Sequence, residues 1–310
     1  MELHQLRYFA AVAELGNFTR AAEKCFVAQP SLSQQVIKLE RELGAPLFER
    51  LGRRVKLTDA GRALYRQAVA ILAAVEEAKR RVADGADPAH GRLAVGAIPT
   101  VAPYLLPPLL QGFLARFPGA EVMVYEDLTE HTVRRCVQGE LDVGLLALPV
   151  RHERLASETL YSEELLLAVP AGHPLARKRR VTMADVGRER FILLDETHCL
   201  GEQIVRFCAE RACLPAVSCH SAQLLTVQEL VGLGHGVSLI PEMAAAADRD
   251  ARRVYRSLSG ARPRRTLAAV WHKHAYHGPL VRHFLAALRE HAGRVAKQRR
   301  RRGGGAIDRG

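Results

Sequence analysis

The sequence has no stretch of about 18 uncharged apolar residues, the minimum expected of a membrane-spanning helix. Its first residues, MELHQLRYFAAVAE, mix charged and apolar positions and lack the basic end and apolar core of a secretory signal peptide. No CxxC motif occurs, and no paired Cys/His set has zinc-finger spacing. These absences favour a protein of the cytoplasm that uses no metal or other cofactor.

The formal net charge of +12 suggests nucleic-acid binding, but half of it lies at one end of the chain. Seven Lys or Arg residues and one Asp lie between Arg294 and the last residue. Residues 297–310 contain KQRRRRGGG without apolar periodicity, so they are predicted to form a basic, disordered tail. Charge alone therefore does not identify a DNA-binding protein.

The first part of the chain has the pattern of a helix-turn-helix. Apolar residues at spacings of three and four predict a helix over 3–15 and a short second helix from Phe18 to Cys25. A third helix is predicted from Ser31 to Leu43, because Pro30 suits a helix start and Gly44 a helix end. Polar side chains near its beginning could reach base edges, since Ser and Gln both donate and accept hydrogen bonds. They are Ser31, Ser33, Gln34 and Gln35.

A basic hairpin is predicted directly after these helices. Residues 47–58 (LFERLGRRVKLT) read as two short strands around Gly52. Basic residues lie at or beside this turn, where they would contact phosphate as the wing of a winged helix-turn-helix: Arg50, Arg53, Arg54 and Lys56. A single arginine of this kind is usually a solvated surface residue. The whole set in this order predicts a DNA-binding domain over residues 1–58.

The sequence pattern changes twice in the remainder of the chain. Residues 59–84 form an Ala-rich helical run whose apolar stripe is too narrow to be buried alone, so pairing with a second chain is expected. With a flexible junction, this linker helix occupies residues 59–88. From residue 89 to 296, short apolar runs alternate with helical segments, which predicts a parallel α/β effector domain.

The effector domain is predicted to have two α/β lobes. One comprises about 89–161 together with 267–296, and the other comprises 162–266. The fold class is therefore α/β, with an N-terminal winged helix-turn-helix, a long linker helix and a two-lobed effector domain. In such sheets, ligands lie beyond the carboxyl ends of strands and at helix starts.

Three segments of the effector domain occupy such positions. Thr100 follows the run LAVGAI, Thr129 follows EVMVYE, and Thr197-His198-Cys199 follows FILLD. Free N–H groups at helix starts favour negative charge. Taken singly, a threonine here is more often a helix cap and a cysteine more often a small buried hydrophobe. Together they predict a ligand cleft in which the helix start and His198 lower the pKa of the Cys199 thiol.

Four of the six cysteines crowd into 21 residues, from Cys199 to Cys219. If the segment is helical, Cys199 and Cys208 lie on opposite faces with about 13.5 Å of rise between them. A disulfide needs Cα atoms within about 7 Å. The pair therefore either never bonds or bonds only when the helix is dismantled.

The segment from Gln5 to Leu64, beginning QLRYFAAVAELGNFTRAAEKC and ending VKLTDAGRAL, resembles the DNA-binding domain of LysR-type transcriptional regulators. The resemblance implies DNA-reading residues at Gln29, Pro30, Ser31, Ser33 and Gln34. It also implies that the linker helix dimerises. The effector domain resembles periplasmic binding proteins, as the effector domains of this family do.

The segments THCLGEQIVRFC, VGAIPTVAPYLLP and PRRTLAAVW resemble the OxyR group of hydrogen-peroxide sensors within that family. The resemblance implies that Cys199 reacts with peroxide and that Cys208 resolves the product as a reversible disulfide. It further implies a peroxide pocket lined by Thr100, Thr129 and His198, with Arg265 stabilising the thiolate. An activator of antioxidant genes is implied, assembled as a homodimer or a homotetramer of two dimers and reset by cellular dithiol reductants.

Other interpretations of the same residues are open. A small organic acid could occupy the cleft, with Arg265 and the helix starts binding its carboxylate. A thiol peroxidase would turn peroxide over and bind DNA poorly, and a metal sensor could use His198, Cys199, Cys208 and Cys213. Cys213 or Cys219 could also replace Cys208 as the resolving thiol.

Overall fold

The computed structural model describes residues 1–51, 54–84, 91–195, 198–211, 216–260 and 262–304. The chain separates into two compact units, Met1–Gly85 and Ala86–Gly310. In chain order the first unit contains α1 (Leu3–Leu15), α2 (Phe18–Lys24), α3 (Gln29–Leu43), β1 (Phe48–Leu51), β2 (Arg54–Leu57) and α4 (Asp59–Asp84).

Two helices of the first unit end at a glycine. α1 stops at Gly16 and α3 at Gly44, and both glycines adopt positive φ values, 60° and 67°, that residues with a Cβ rarely adopt. The three helices enclose an apolar core with Phe9, Leu32 and Leu39 at its centre. α3 begins at Gln29, two residues before the predicted start, because Pro30 fits its first turn.

Asn17 caps α2, and its removal should weaken the helix-turn-helix. Its side-chain oxygen accepts hydrogen bonds from the backbone N–H groups of Thr19 (2.8 Å) and Arg20 (3.1 Å). Asn17→Ala should lower the free energy of unfolding of this unit by about 1 kcal/mol, measured by chemical denaturation. Asn17→Asp is the matched control, because its carboxylate can accept the same two bonds. Equal losses in both variants would show that the cap is not the cause.

The predicted hairpin is present, with β1 antiparallel to β2 and Phe48 opposite Leu57. Arg53 and the side chains of Arg50 and Arg54 lie outside the described part of the chain. Their contact with phosphate therefore stays a prediction. α4 occupies residues Asp59–Asp84, as the apolar stripe predicted. The junction at 85–88 also lies outside the described residues.

The second unit carries the effector domain. In chain order it contains β3 (Gly91–Ala97), α5 (Ala102–Arg116), β4 (Ala120–Glu126), α6 (Thr129–Val137), β5 (Val143–Leu148), β6 (Leu155–Pro170), α7 (Pro174–Arg177), α8 (Met183–Val186), β7 (Arg190–Leu194), α9 (Cys199–Ala209), β8 (Ala216–Ser221), α10 (Leu224–Gly232), β9 (Ser238–Pro241), α11 (Glu242–Ala247), β10 (Arg253–Arg256), β11 (Arg264–His272) and α12 (Pro279–Gly304).

Two α/β lobes share the long strand β6. In the first lobe, β3 is parallel to both β4 and β5, and β11 is antiparallel to β5 and to the first part of β6. From Leu165 onward, β6 instead pairs with β9 and β10 of the second lobe. β7 pairs with β8 in parallel and is bridged to Val237 beside β9. Each lobe has its own buried apolar core, which confirms the predicted two-lobed architecture.

Three details differ from the sequence-based expectations. The sheet is mixed rather than parallel, because β6 and β11 run antiparallel to their neighbours. β6 is a single strand of 16 residues that runs across the predicted boundary at 161–162 between the lobes. α12 continues to Gly304, so residues 297–304 are helical where a disordered tail was predicted. Lys, Gln and Arg have high helix propensity and extend a helix that packing has already nucleated, even without an apolar stripe. Among the described residues, no helix is long and apolar enough to cross a membrane.

Candidate functional site

Cys199 is the first residue of α9, immediately after the helix cap at His198. The His198 backbone is extended, and its carbonyl accepts the N–H of Gly201 at 3.0 Å. α9 follows β7 closely, as the alternation of apolar runs predicted. The thiol thus lies at a helix start beyond the carboxyl end of a strand, the location at which α/β sheets bind ligands.

A cleft of about 390 Å³ opens beside this thiol. It lies between the start of α6, the start of α9 and the end of β5. Its described lining residues are Leu128, Thr129, Glu130, His131, Ala147, Pro149, Cys199, Glu202, Gln203 and Arg206. The cleft is therefore lined by both apolar and polar side chains, and Cys199 is its only described thiol.

Two polar atoms of the cleft wall are buried without a hydrogen-bond partner among the described residues. They are the amide oxygen Oε1 of Gln203 and the hydroxyl oxygen Oγ1 of Thr129, although the Thr129 hydroxyl does act on the Cys199 sulfur by favouring its thiolate. The other amide atom of Gln203, Nε2, donates to the Leu148 carbonyl at 3.0 Å, which fixes the side chain across the cleft. A buried polar group without a partner costs about 1–3 kcal/mol, so this cleft favours a small polar guest that supplies the missing bonds.

Burial raises the pKa of the Cys199 thiol above its usual value. The Thr129 hydroxyl, the Arg265 guanidinium and the backbone N–H of Cys199 act in the opposite direction, and the Glu202 carboxylate adds to the rise. The sequence-based expectation of a lowered pKa is therefore wrong in its net direction. The helix start does favour the thiolate, but removal of the sulfur from water outweighs it.

Glu202 is an exposed acidic residue in the first turn of α9, and it offers a simple test of this balance. Its charge raises the pKa of Cys199, so Glu202→Gln should lower that pKa and increase the thiolate fraction at pH 7. We expect alkylation of Cys199 by iodoacetamide to become about two- to threefold faster, since a single exposed charge has a modest effect. Raising the salt concentration should shrink the difference. Glu210→Gln, at the far end of α9, is the control, and an equal gain there would refute the local effect.

Thr100 and Arg265 meet, but not at the described lining of the cleft. The buried guanidinium of Arg265 donates from Nη1 to the Thr100 hydroxyl at 2.7 Å and from Nη2 to the Thr100 carbonyl at 3.0 Å. Its Nε donates to Glu163 Oε1 at 2.8 Å. Among the described lining residues of the cleft, neither Thr100 nor Arg265 occurs. Arg265 still acts on Cys199 through its charge, whereas a direct peroxide contact for either residue stays a prediction.

His198 is almost fully buried and caps α9 without lining the described part of the cleft. Thr197 lies outside the described residues. Of the four residues predicted to surround the peroxide, only Thr129 contributes to the cleft wall described here, together with the redox residue Cys199. Gln203 and Glu163 were not predicted. Gln203 was detectable as the residue one helical turn after Cys199, but Glu163 is distant from Arg265 in sequence and carries no local signal.

Cys208 is fully buried at the other end of α9, in the apolar core of the second lobe. Both Cys199 and Cys208 are thiols in this structure. The intact helix separates them by about 13.5 Å of rise, as the nine-residue spacing predicted for a helical segment. A bond between the two sulfurs requires α9 to unwind.

The remaining cysteines do not change this geometry. Cys213 lies outside the described residues, and Cys219 is partly buried on β8 with its thiol donating to the His220 carbonyl at 3.4 Å. Their proposed alternative roles as resolving thiols stay predictions. In the part of the chain that the structure describes, no group of three His, Cys, Asp or Glu side chains is placed to hold a metal ion.

The predicted DNA-reading residues lie together at the start of α3. Gln29, Pro30, Ser31 and Gln34 are exposed and Ser33 is half-buried, so this end of the helix is open to solvent. Phe26, in the turn before α3, is 95% exposed and has a positive φ of 56°. The sequence did not single out Phe26, since its apolar character predicted burial.

Comparison with protein families matches both units of the chain. Residues 3–62 match the bacterial regulatory helix-turn-helix proteins of the lysR family, and residues 86–293 match the LysR substrate binding domain. The hydrogen peroxide-inducible genes activator of Pectobacterium carotovorum subsp. carotovorum is 35% identical over 87% of this chain and 90% of its own length. The DNA-binding transcriptional dual regulator OxyR of Escherichia coli (strain K12) is 36% identical over 87% and 89%.

Solved structures give the same relationship. Full-length OxyR of Pseudomonas aeruginosa, a cysteine-to-aspartate variant, is 30% identical with a TM-score of 0.72, covering 93% of this chain and 98% of that one. A cysteine mutant of Corynebacterium glutamicum OxyR with bound H2O2 is 30% identical with a TM-score of 0.62, over 95% and 93%. CbnR complexed with its target DNA is 26% identical with a TM-score of 0.64, over 94% and 99%.

Proposed function

The chain belongs to the lysR family of bacterial regulatory proteins, and we propose that it is a DNA-binding transcriptional regulator that senses hydrogen peroxide through Cys199. The observation that carries the proposal is the position of this thiol at the wall of a polar cleft, beside the Thr129 hydroxyl and the unpartnered amide oxygen of Gln203. Hydrogen peroxide is small, and each of its oxygens can both donate and accept a hydrogen bond. It can therefore satisfy Thr129 and Gln203 while it approaches the sulfur.

The first step is oxidation of the Cys199 thiolate. The sulfur attacks one peroxide oxygen, the O–O bond breaks, and the departing hydroxide takes up a proton and leaves as water. Cys199 becomes a sulfenic acid, which is larger and more polar than the thiol. The helix start stabilises the thiolate before the attack, whereas burial limits its population at neutral pH.

The second step joins the two ends of α9. Once α9 unwinds, the Cys208 sulfur attacks the sulfenic sulfur, a disulfide forms, and the hydroxyl leaves as a second water. Unwinding withdraws Leu200, Ile204 and Cys208 from the core of the second lobe. Each buried aliphatic side chain contributes about 1.5–3 kcal/mol, so the helical form holds the thiols apart until oxidation offsets this cost. A cellular dithiol restores both thiols and is itself oxidised to a disulfide.

Promoter DNA is the partner that this response would act upon. The exposed start of α3 suits the major groove, and the relative CbnR binds DNA with the same architecture. A homodimer or a tetramer of two dimers would convert a local change in α9 into a change of spacing between DNA-binding units. We assign the protein to the cytoplasm, at the bacterial DNA, as an activator of antioxidant genes rather than an enzyme.

The proposal is tested by exposing the reduced protein to one equivalent of peroxide. Peptide mapping should find a Cys199–Cys208 disulfide, and DNase footprinting on a cognate promoter should show a changed footprint that dithiothreitol reverses. A protein that forms no such disulfide does not sense peroxide by this route. Many turnovers of peroxide per chain with a thiol reductant, without sequence-specific DNA binding, would instead identify a thiol peroxidase.

A further inference from the structure

A buried ion pair lies where the two lobes meet. Arg265 on β11 and Glu163 on β6 are directly opposite in the antiparallel register, and both side chains are fully buried. This is the region in which β6 stops pairing with β11 and begins to pair with β9. The pair therefore lies at the point where β6 passes from the sheet of the first lobe to that of the second.

Glu163 bonds in two directions. Its Oε1 accepts from Arg265 Nε at 2.8 Å, and its Oε2 accepts from the backbone N–H of Met243, in the first turn of α11, at 2.8 Å. Arg265 in turn bonds twice to Thr100, just before α5. Four residues thus form one continuous chain of hydrogen bonds, from Met243 through Glu163 and Arg265 to Thr100.

We propose that Glu163 is a positioning residue for Cys199 that acts through Arg265, whose guanidinium it holds against Thr100. The proposal rests on the proposed role of Cys199 as the reactive thiol. Glu163 is not among the described lining residues of the cleft, so its effect on Cys199 passes through Arg265.

The physical reason is the rigid shape of the guanidinium. Its N–H donors form a planar fork, and bonds from Nε, Nη1 and Nη2 together fix both the location and the rotation of that plane. The Arg265 charge lowers the pKa of Cys199 against the effect of burial. A buried arginine without its carboxylate loses a strong charge-assisted bond and moves toward water or another acid. The thiolate then loses part of its stabilisation.

Other charges around Cys199 act independently of this chain of bonds. Glu130, His131, Glu202 and Arg206 all line the cleft itself. Substitution of Glu163 leaves those side chains in place, so a change in Cys199 reactivity would trace to Arg265. The informative substitutions at position 163 are therefore an amide, which can still accept a hydrogen bond from Arg265, and an alkyl group, which cannot.

The test measures alkylation of Cys199 by iodoacetamide across pH 6–10 in reduced, full-length protein, with mass spectrometry of the Cys199 peptide. Glu163→Leu should make alkylation at pH 7 about tenfold slower and shift the profile to higher pH. Arg265→Leu should do the same. Glu163→Gln should lie between the wild type and Glu163→Leu, because its single amide oxygen can keep the bond to Arg265 only while its NH2 group faces the Met243 N–H.

The double variant Glu163→Leu/Arg265→Leu separates positioning from simple loss of structure. It leaves no uncompensated buried charge, so it should unfold at a higher temperature than either single leucine variant. Its alkylation profile should match that of Arg265→Leu, since Glu163 acts only through Arg265. A double variant slower than Arg265→Leu would overturn the proposal, as would a folded Glu163→Leu protein with the wild-type profile.

This assay uses no peroxide, so its failure can be distinguished from a failure of the proposed function. If peroxide formed no disulfide while the four profiles behaved as expected, the positioning role would stand and the sensing role would fail.

Discussion

Cys199→Ser should abolish the response to peroxide while leaving DNA binding intact. A serine hydroxyl at this position has nearly the volume of the thiol but does not attack peroxide, so neither a sulfenic acid nor a disulfide forms. α9 should stay helical at every peroxide concentration. The promoter footprint of the variant should match that of the reduced wild type, before and after oxidation, which is a complete rather than a partial loss.

Cys208→Ser should stop the reaction one step later. Cys199 still reaches the sulfenic acid, which dimedone should trap and mass spectrometry should find, but no disulfide locks the unwound segment. Cys25→Ser is the control, because that thiol lies in the DNA-binding unit and should not affect either step.

Cys219→Ser tests the alternative resolving thiol: a Cys199–Cys208 disulfide that still forms in this variant shows that Cys219 is not required. A footprint that still shifts with peroxide in Cys199→Ser would refute Cys199 as the sensor.

Local sequence signals predicted most of the fold. Gly16 and Gly44, the Pro30 helix start and the apolar spacing between them are sufficient for the helix-turn-helix, because each acts within one or two turns. The same applies to Cys199 at the start of α9, since a strand followed by a helix fixes it at the cleft. The bonds that tune the site are different in kind. Arg265 reaches Thr100 and Glu163 across more than one hundred residues of sequence, and no spacing rule predicts such pairs.

The pKa of Cys199 shows a related limit. The helix start favours the thiolate and was recognisable in the sequence, whereas Arg265, which also favours it, was expected only from the family resemblance. The magnitude of the opposing term depends on how completely the lobes remove the sulfur from water, and this emerges only from tertiary packing. Sequence patterns thus identify groups that act on a thiol, whereas the structure shows whether its pKa is raised or lowered overall.

The packing of α9, and not only its cysteines, should set the reduction potential of the Cys199–Cys208 disulfide. Ile204 lies at the middle of α9, is 1% exposed and packs in the core of the second lobe. Ile204→Ala should destabilise the reduced, helical form by about 2–4 kcal/mol. If the oxidised form has α9 unwound, Ile204 has already left the core in that form, and the substitution costs it little. The reduction potential of the Cys199–Cys208 disulfide should therefore become more negative by about 40–90 mV, because 30 mV corresponds to about 1.4 kcal/mol for this two-electron couple.

The matched control is Ile240→Ala, on β9 in the same apolar core but outside α9. It should lower the unfolding free energy by a similar amount, yet leave the potential unchanged, because β9 is expected to keep its packing in both redox forms. Both potentials can be measured by equilibration in dithiothreitol buffers followed by thiol counting. An equal shift in the two variants would show that oxidation loosens the whole lobe, and no shift in either would show that α9 stays docked. A shift confined to Ile204→Ala would show that oxidation disrupts the packing of α9 and not that of the rest of the lobe. The packing of the helix that keeps the two sulfurs apart would then also set the reduction potential of the disulfide.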